Sequence, residues 1–370
     1  VGADVLVKAE NLQRTGSFKL RGALAKLASL GQECAGVVTA SAGNHGQAVA
    51  YAAAVRGLPC EVFMPEQAPI GKIEAAQARG ATVHLLGTTV EEGLAAARQK
   101  AADAHLTFVH PFDDVQVVAG QGTVGLELLA DVPEFGTVIV PVGGGGLISG
   151  VAIAIKSGRP DVRVIGVQVS SCAPYPVSLS GDGAVTVESA LTIADGIAVK
   201  RPGELTLPLV RQWVDDVVVV EEDDIAESIV FLLERAKLVV EGAGAVGVAA
   251  LLTGRIRVSG PAPVVVVLSG GNVDAGLLAQ IIRRHETQVG RRLVLLARLS
   301  DRPGSLARLL TLVGELRANL LDVVHIREGL DLHVRETAVQ LVLETRGADH
   351  ARQVTEAVRA AGYEEPSRLG

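Results

Sequence analysis

The chain has 370 residues, 48% hydrophobic but only 3% aromatic, with a formal net charge of −7. That length exceeds what one hydrophobic core usually serves, and an interior of Ala, Val, Leu and Ile suits buried parallel strands covered by helices, so an α/β protein of two or three domains is expected. The acidic balance, without a basic run interleaved with aromatics, argues against nucleic acid, and no uninterrupted apolar stretch reaches membrane-spanning length.

The sequence opens on a strand-like run, and "VGADVLVKAEN" carries neither a basic n-region nor a cleavage site. The polar turn "RTGSFKLRGA", Arg14 to Ala23, then places Lys19 between an apolar strand and an apolar helix. Taken alone, Lys19 reads equally as a solvated charge or as an amine held where it can react.

Short apolar runs and Ala-rich amphipathic segments alternate next: "GVVTA", a helix from about Gly46, "CEVFM", a helix from about Ile70, "TVHLL", a helix from about Val90, and "TFVHPF". A second series follows with "TVIVPV", "RVIGVQV", "DVVVV", a long helix from about Glu222, and "PVVVVLSG". The pattern predicts two open parallel-sheet lobes in a part spanning 1–286, with a small lobe at about 36–113 inserted in a large one. The polar stretch "RRHETQVGRR" reads as a linker. Beyond it, 287–370 shows a βαββαβ order, a ferredoxin-like unit.

Three glycine-containing junctions sit at carboxyl ends of expected strands. In "PVGGGGLISG" the run Gly143, Gly144, Gly145 and Gly146 strips away side chains where backbone N–H groups can converge on an anion at a helix N-terminus. The plain alternative is a flexible turn or close helix–strand packing; no Gly-Lys-Ser/Thr follows, so it is not a Walker A loop. "TASAGNHGQAVA" offers Ser41, Asn44 and His45 around glycine, suited to a carboxylate; the plain alternative is Ser41 as an N-cap and His45 as a packed side chain. "VLSGGNVD" repeats the device with Ser269, or is a Gly-assisted turn. Open α/β sheets bind ligands at such strand ends. A phosphate cradle, a hydroxyl and an amine together describe a pyridoxal 5′-phosphate pocket, with the glycines on phosphate, Lys19 bonding the cofactor carbon and Ser269 meeting the ring nitrogen.

On "SFKLRGA", "SAGNHGQAVA", "HPFDD", "AGQGTVGLELL", "GGGGLISG", "ADGIAVKRPGELT", "EGAGAVGVAALL" and "LSGGN", the chain resembles the fold-type II pyridoxal-phosphate enzymes, and within them the threonine dehydratases (threonine ammonia-lyases) and serine racemases. The resemblance implies Phe18 beside the cofactor, Lys19 as its covalent partner, Asn44 on its ring hydroxyl, Gly143 to Gly146 and Leu147 on its phosphate, and Ser269 on its ring nitrogen. It further implies that the loop Ser41, Ala42, Gly43, Asn44 and His45 receives the substrate carboxylate. Glu241 is implied at the ring edge, with Asp195 and Gly196 lining the pocket.

Ala42 stands where racemases carry an acid–base serine. Gln168 and Pro174 stand near "GVQVSSCAP", where racemases hold a divalent metal through acidic residues, so no metal is expected. "RLSDRPGSLARLL", with Asp301, Pro303, Gly304 and Leu306, resembles the strand-to-helix entry of ACT domains, implying an amino-acid effector site, an allosteric role and a homo-oligomer, dimer or tetramer.

The expected reaction converts L-threonine to 2-oxobutanoate and ammonia, and L-serine to pyruvate, as in isoleucine biosynthesis and related amino-acid metabolism. The alternatives are an L-serine or hydroxyaspartate dehydratase or racemase and, from another class, an inactive amino-acid-sensing ACT protein. Cys34, Cys60 and Cys172 are odd in number and widely spaced, supporting neither disulfides nor a thiolate zinc site and predicting a cytoplasmic setting.

Overall fold

A computed structural model of the chain describes residues 2, 4–188, 191–258, 260 and 262–367. The chain divides into two compact units, Val1–Val273 and Asp274–Gly370.

The first unit holds strands β1 (Val5–Ala9), β2 (Val37–Ala40), β3 (Cys60–Met64), β4 (Thr82–Leu85), β5 (Thr107–Phe108), β6 (Thr137–Pro141), β7 (Arg163–Val169), β8 (Asp216–Val220) and β9 (Val264–Leu268). They form two parallel sheets, ordered β1-β9-β6-β7-β8 and β4-β3-β2-β5. Strands β6 and β9 are buried throughout, which explains why they read as unbroken apolar runs rather than alternating ones. The helix Gly146–Gly158 contributes Ile148, Val151 and Ile155 to the core that holds Val138, Val140 and Val265 of the larger sheet. The smaller sheet packs Val37 and Val62 with Ala48, Val49 and Ala52 of the helix Asn44–Arg56.

The larger sheet's strand order sets up the site. Because β9 lies between β1 and β6, the segments after β1, β6 and β9 leave three neighbouring strands at the same end. Those segments carry Lys19, the Gly143–Gly146 run and Ser269.

In the second unit, β10 (Arg292–Ser300), β11 (Asn319–Ile326) and β12 (Glu336–Glu344) form an antiparallel sheet ordered β10-β12-β11. Leu309 and Val313 of the helix Ser305–Glu315, and Val354 and Val358 of the helix Ala348–Ala360, share one core with Ala297, Leu341 and Leu343.

Two features depart from the sequence pattern. The polar stretch read as a linker begins as helix: Asp274 caps the helix Ala275–Gln288, its carboxylate accepting from the N–H groups of Gly276 (2.8 Å) and Leu277 (3.1 Å), and this helix clusters with the second unit. The final strand of the βαββαβ order does not form among the described residues. One backbone bond, from the Arg298 N–H to the Glu364 carbonyl at 2.8 Å, marks where it would lie, and Pro366 has no N–H to extend it.

Candidate active site

Lys19 begins the helix Lys19–Ala28, and the residues before it are tied to the end of β9. Ser17 bridges Gly270, the Phe18 N–H donates to the Ser269 carbonyl (3.0 Å), and the Gly271 N–H donates to the Gly16 carbonyl (2.9 Å). Ser269, itself buried, is thereby held beside the lysine turn. The Lys19 amine donates to the Pro111 carbonyl at 2.8 Å and lies 5.3 Å from the centre of the Phe18 ring. Desolvation lowers its pKa to about 8, against the opposing pull of the Glu241 carboxylate. A tenth of such an amine is neutral near pH 7, where an ordinary lysine is almost wholly charged.

Immediately before Pro111, the imidazole of His110 closes the turn. Its Nδ1 accepts from the N–H groups of Asp113 (2.7 Å) and Phe112 (3.3 Å), so it must be unprotonated, and burial lowers its pKa to about 4. Asp113 accepts in turn from the N–H groups of Glu204, Leu205 and Thr206, joining this turn to the start of the helix Thr206–Trp213.

The glycine run leaves β6 and enters the helix Gly146–Gly158, which has no side-chain cap, so its first-turn N–H groups are available to an anion. Tyr175 and Thr206 both donate to the Gly144 carbonyl, at 3.1 and 2.6 Å, fixing the loop from behind. Gly145 has φ +93°, and a Cβ there would sit 1.9 Å from the Tyr175 hydroxyl oxygen. Leu147 is buried just beyond.

After β2, the Ser41 hydroxyl accepts from the Gly43 N–H (3.1 Å), and Ala42 and Gly43 are half-buried. The His45 ring is buried with Nε2 on the Val109 carbonyl at 3.1 Å, and burial pulls its pKa to about 3, so it is a neutral packing group. What His45 shares with this loop is therefore its backbone.

Asn44 donates through Nδ2 to Glu241 Oε1 at 2.7 Å, joining the smaller sheet's loop to the residue before the helix Gly242–Leu252. Burial, helped by the negative charge of Asp195, raises the Glu241 pKa to about 7. Asp195 is exposed and pairs with Lys72 at 2.9 Å; Gly196 lies against Glu241 and Ala243. Gln168 is committed elsewhere, donating to the Val142 carbonyl and accepting from the Tyr175 N–H. Among the described residues, no group of three or more His, Cys, Asp or Glu side chains is placed to hold a metal.

An amine of lowered basicity, an uncapped helix N-terminus behind glycines and a buried carboxyl thus meet at the carboxyl ends of two parallel sheets. Residues 1–270 match the pyridoxal-phosphate dependent enzymes. The chain belongs to that family. Within it, the chain is 47% identical over 365 residues to the L-threonine ammonia-lyase of Thermotoga maritima, covering 98% of this chain and 90% of that one. It is similar to a solved threonine deaminase from T.th. (TM-score 0.70, 41% identity, 74% of this chain and 89% of that one). It is also similar to maize serine racemase (TM-score 0.72, 37% identity, 78% and 89%).

The residues fit the family's cofactor on physical grounds. Lys19 supplies an amine able to condense with an aldehyde near neutral pH, and the glycine loop supplies unpaired donors for a phosphate. The buried hydroxyls of Thr15 and Ser17, beside the lysine turn, have no protein partner. Sequence reasoning located Lys19, Ser269 and the glycine loop but assigned no role to His110, Pro111 or Asn272. The first two stand in "HPFDD" and the third follows Ser269 in "LSGGN", so the signal lay in motifs that also carry the resemblance.

Proposed function

We propose that this chain is a threonine ammonia-lyase, converting L-threonine to 2-oxobutanoate and ammonium and acting also on L-serine to give pyruvate. The observation that carries the substrate assignment is similarity to an L-threonine ammonia-lyase over 98% of the chain. When bound, pyridoxal phosphate supplies a conjugated ring that accepts the charge left at Cα.

The protein's own residues do the rest. The loop Ser41 to His45 receives the substrate carboxylate through backbone donors and the Ser41 hydroxyl. Lys19, released to its free amine, takes the Cα proton and rests on the Pro111 carbonyl. Gly143 to Gly146 and Leu147 hold the phosphate end, Phe18 packs the ring, Ser269 meets its nitrogen, and Asn44 its hydroxyl oxygen. Glu241 flanks the ring edge. The β-hydroxyl leaves as water, the proton it needs balancing the one Lys19 takes from Cα; the released enamine takes up water to give the 2-oxo acid and ammonium, so the balance is threonine in, 2-oxobutanoate and ammonia out.

The second unit acts as an ACT-like regulatory domain in a homo-oligomer, binding an amino acid where Gly304 (φ +85°) opens the helix Ser305–Glu315. None of the three cysteines forms a disulfide and no described helix is long and apolar enough to cross a membrane; the absence of disulfides supports a cytoplasmic setting. Steady-state release of 2-oxo acid from L-threonine, L-serine and hydroxyaspartate tests the assignment. The highest kcat/KM is expected for L-threonine; no 2-oxo acid from any of them would leave the amino-acid sensor, and predominant D-serine formation would leave the racemase.

A further inference from the structure

Two amide side chains and a backbone carbonyl form a chain across the site. Asn272 Nδ2 donates to the Thr15 carbonyl (2.8 Å) and to Asn44 Oδ1 (2.7 Å), and Asn44 Nδ2 donates to Glu241 Oε1 (2.7 Å). An isolated amide can sit either way round, since its oxygen and nitrogen ends have nearly the same shape. Here the Thr15 carbonyl removes the ambiguity. It only accepts, so the Asn272 atom facing it must be nitrogen; that nitrogen only donates, so the Asn44 atom facing it must be oxygen. Asn44 is left with nitrogen on the side of Glu241.

Space for Asn272 is built in. Gly16 has φ +74°, and a Cβ there would lie 2.3 Å from Asn272 Oδ1. Thr15 and Gly16 belong to the turn that carries Lys19, Asn272 follows Ser269, Asn44 comes from the smaller sheet, and Glu241 opens a helix of the larger one. The amide chain thus ties together four of the segments that supply the site.

We infer that Asn272 is a positioning residue whose amide, oriented by the Thr15 carbonyl, holds Asn44 with its N–H side available to the cofactor's ring hydroxyl oxygen. The inference rests on the reading of Asn44 given above. Without Asn272, Asn44 is oriented by Glu241 alone, a carboxyl that donates when protonated as well as accepting when ionised, so the amide can turn its oxygen toward that site, where two acceptors would repel.

The test is a double-mutant cycle on cofactor affinity, titrating apoprotein with pyridoxal phosphate and following absorbance, with thermal unfolding of each apoprotein alongside. Asn272→Ala and the isosteric Asn272→Asp, which when ionised has no donor, are each expected to weaken binding about tenfold, the scale of one hydrogen bond. In an Asn44→Ala background neither should weaken it further, because the residue acts through Asn44. Losses that add in full in both backgrounds, or Asn272 variants that bind as tightly as the parent while Asn44→Ala does not, overturn the inference alone. An Asn44→Ala protein that binds as tightly as the parent overturns the reading of the site and the inference with it. A purely structural Asn272 would lower the unfolding temperature without this dependence on Asn44.

Discussion

The amine of Lys19 donates to the carbonyl oxygen of Pro111, 2.8 Å away and 92 residues distant in sequence. This acceptor gives the free amine a defined resting place, and desolvation there keeps its pKa near 8. A lysine mobile in solvent would have neither property.

Lys19→Ala is accordingly expected to abolish the borohydride-reducible bond to pyridoxal phosphate together with turnover. In the unmodified apoprotein, the rate of that bond's formation should rise with pH through a midpoint of about 8 rather than 10.5, because only the neutral amine attacks. Stopped-flow absorbance across pH 6–11 measures it, and a reducible bond persisting in the variant would move the role to another lysine.

Glu241 gives a pH dependence of opposite origin. Its folded pKa, about 7, lies above the ordinary 4.5, so between those values the folded apoprotein holds a proton the unfolded chain has released. The resulting contribution to stability is complete below about pH 4.5 and is lost as pH rises through 7. Glu241→Gln should remove this component of the profile, and Asp195→Asn should move its midpoint down by deleting the negative neighbour. Chemical denaturation of the apoproteins from pH 5 to 8 reads both; identical profiles for parent and Glu241→Gln would count against a buried protonated carboxyl.

Gly145→Ala forces a Cβ toward the hydroxyl of Tyr175, a buried side chain pinned by Thr206, at a backbone angle that L-residues rarely adopt. The strain should cost about 1–3 kcal/mol. The unfolding temperature is expected to fall and, on the proposal that the loop holds the phosphate, pyridoxal phosphate should lose more affinity than pyridoxal does. Equal losses for both ligands would detach this loop from phosphate binding.

Ala42 has no proton to exchange, so elimination from L-serine should yield little D-serine. Ala42→Ser is expected to raise the ratio of D-serine to pyruvate, measured by chiral chromatography. Abundant D-serine from the unmodified protein would contradict this.

A chain ending at Val273 retains every cofactor- and substrate-site residue named above and omits the second unit, including the helix Ala275–Gln288. It should keep measurable 2-oxo acid release and lose any response to amino-acid effectors. An effector response that survives would locate the regulatory site in the first unit.

The parallel sheets and the glycine junctions were legible in the sequence because each has a local cause. Buried strands such as "TVIVP" and "VVVVL" must be apolar on both faces, and an anion cradle needs several adjacent residues without side chains. The relation of Lys19 to Ser269 was not legible. It depends on β1 pairing with β9 across more than 250 residues, which no local pattern encodes. The same holds for Asn272, His110 and Pro111: an asparagine in a Gly-rich turn looks like turn chemistry, and only the fold brings its amide to Thr15 and Asn44. "RRHETQ" failed for a related reason, since a solvated helix end and a polar linker share one composition, and the cap by Asp274 and packing onto the second unit decide between them. Residue type thus determined what chemistry was available here, while long-range pairing decided which groups meet, because hydrogen bonds and pKa shifts arise from neighbours in space rather than in sequence.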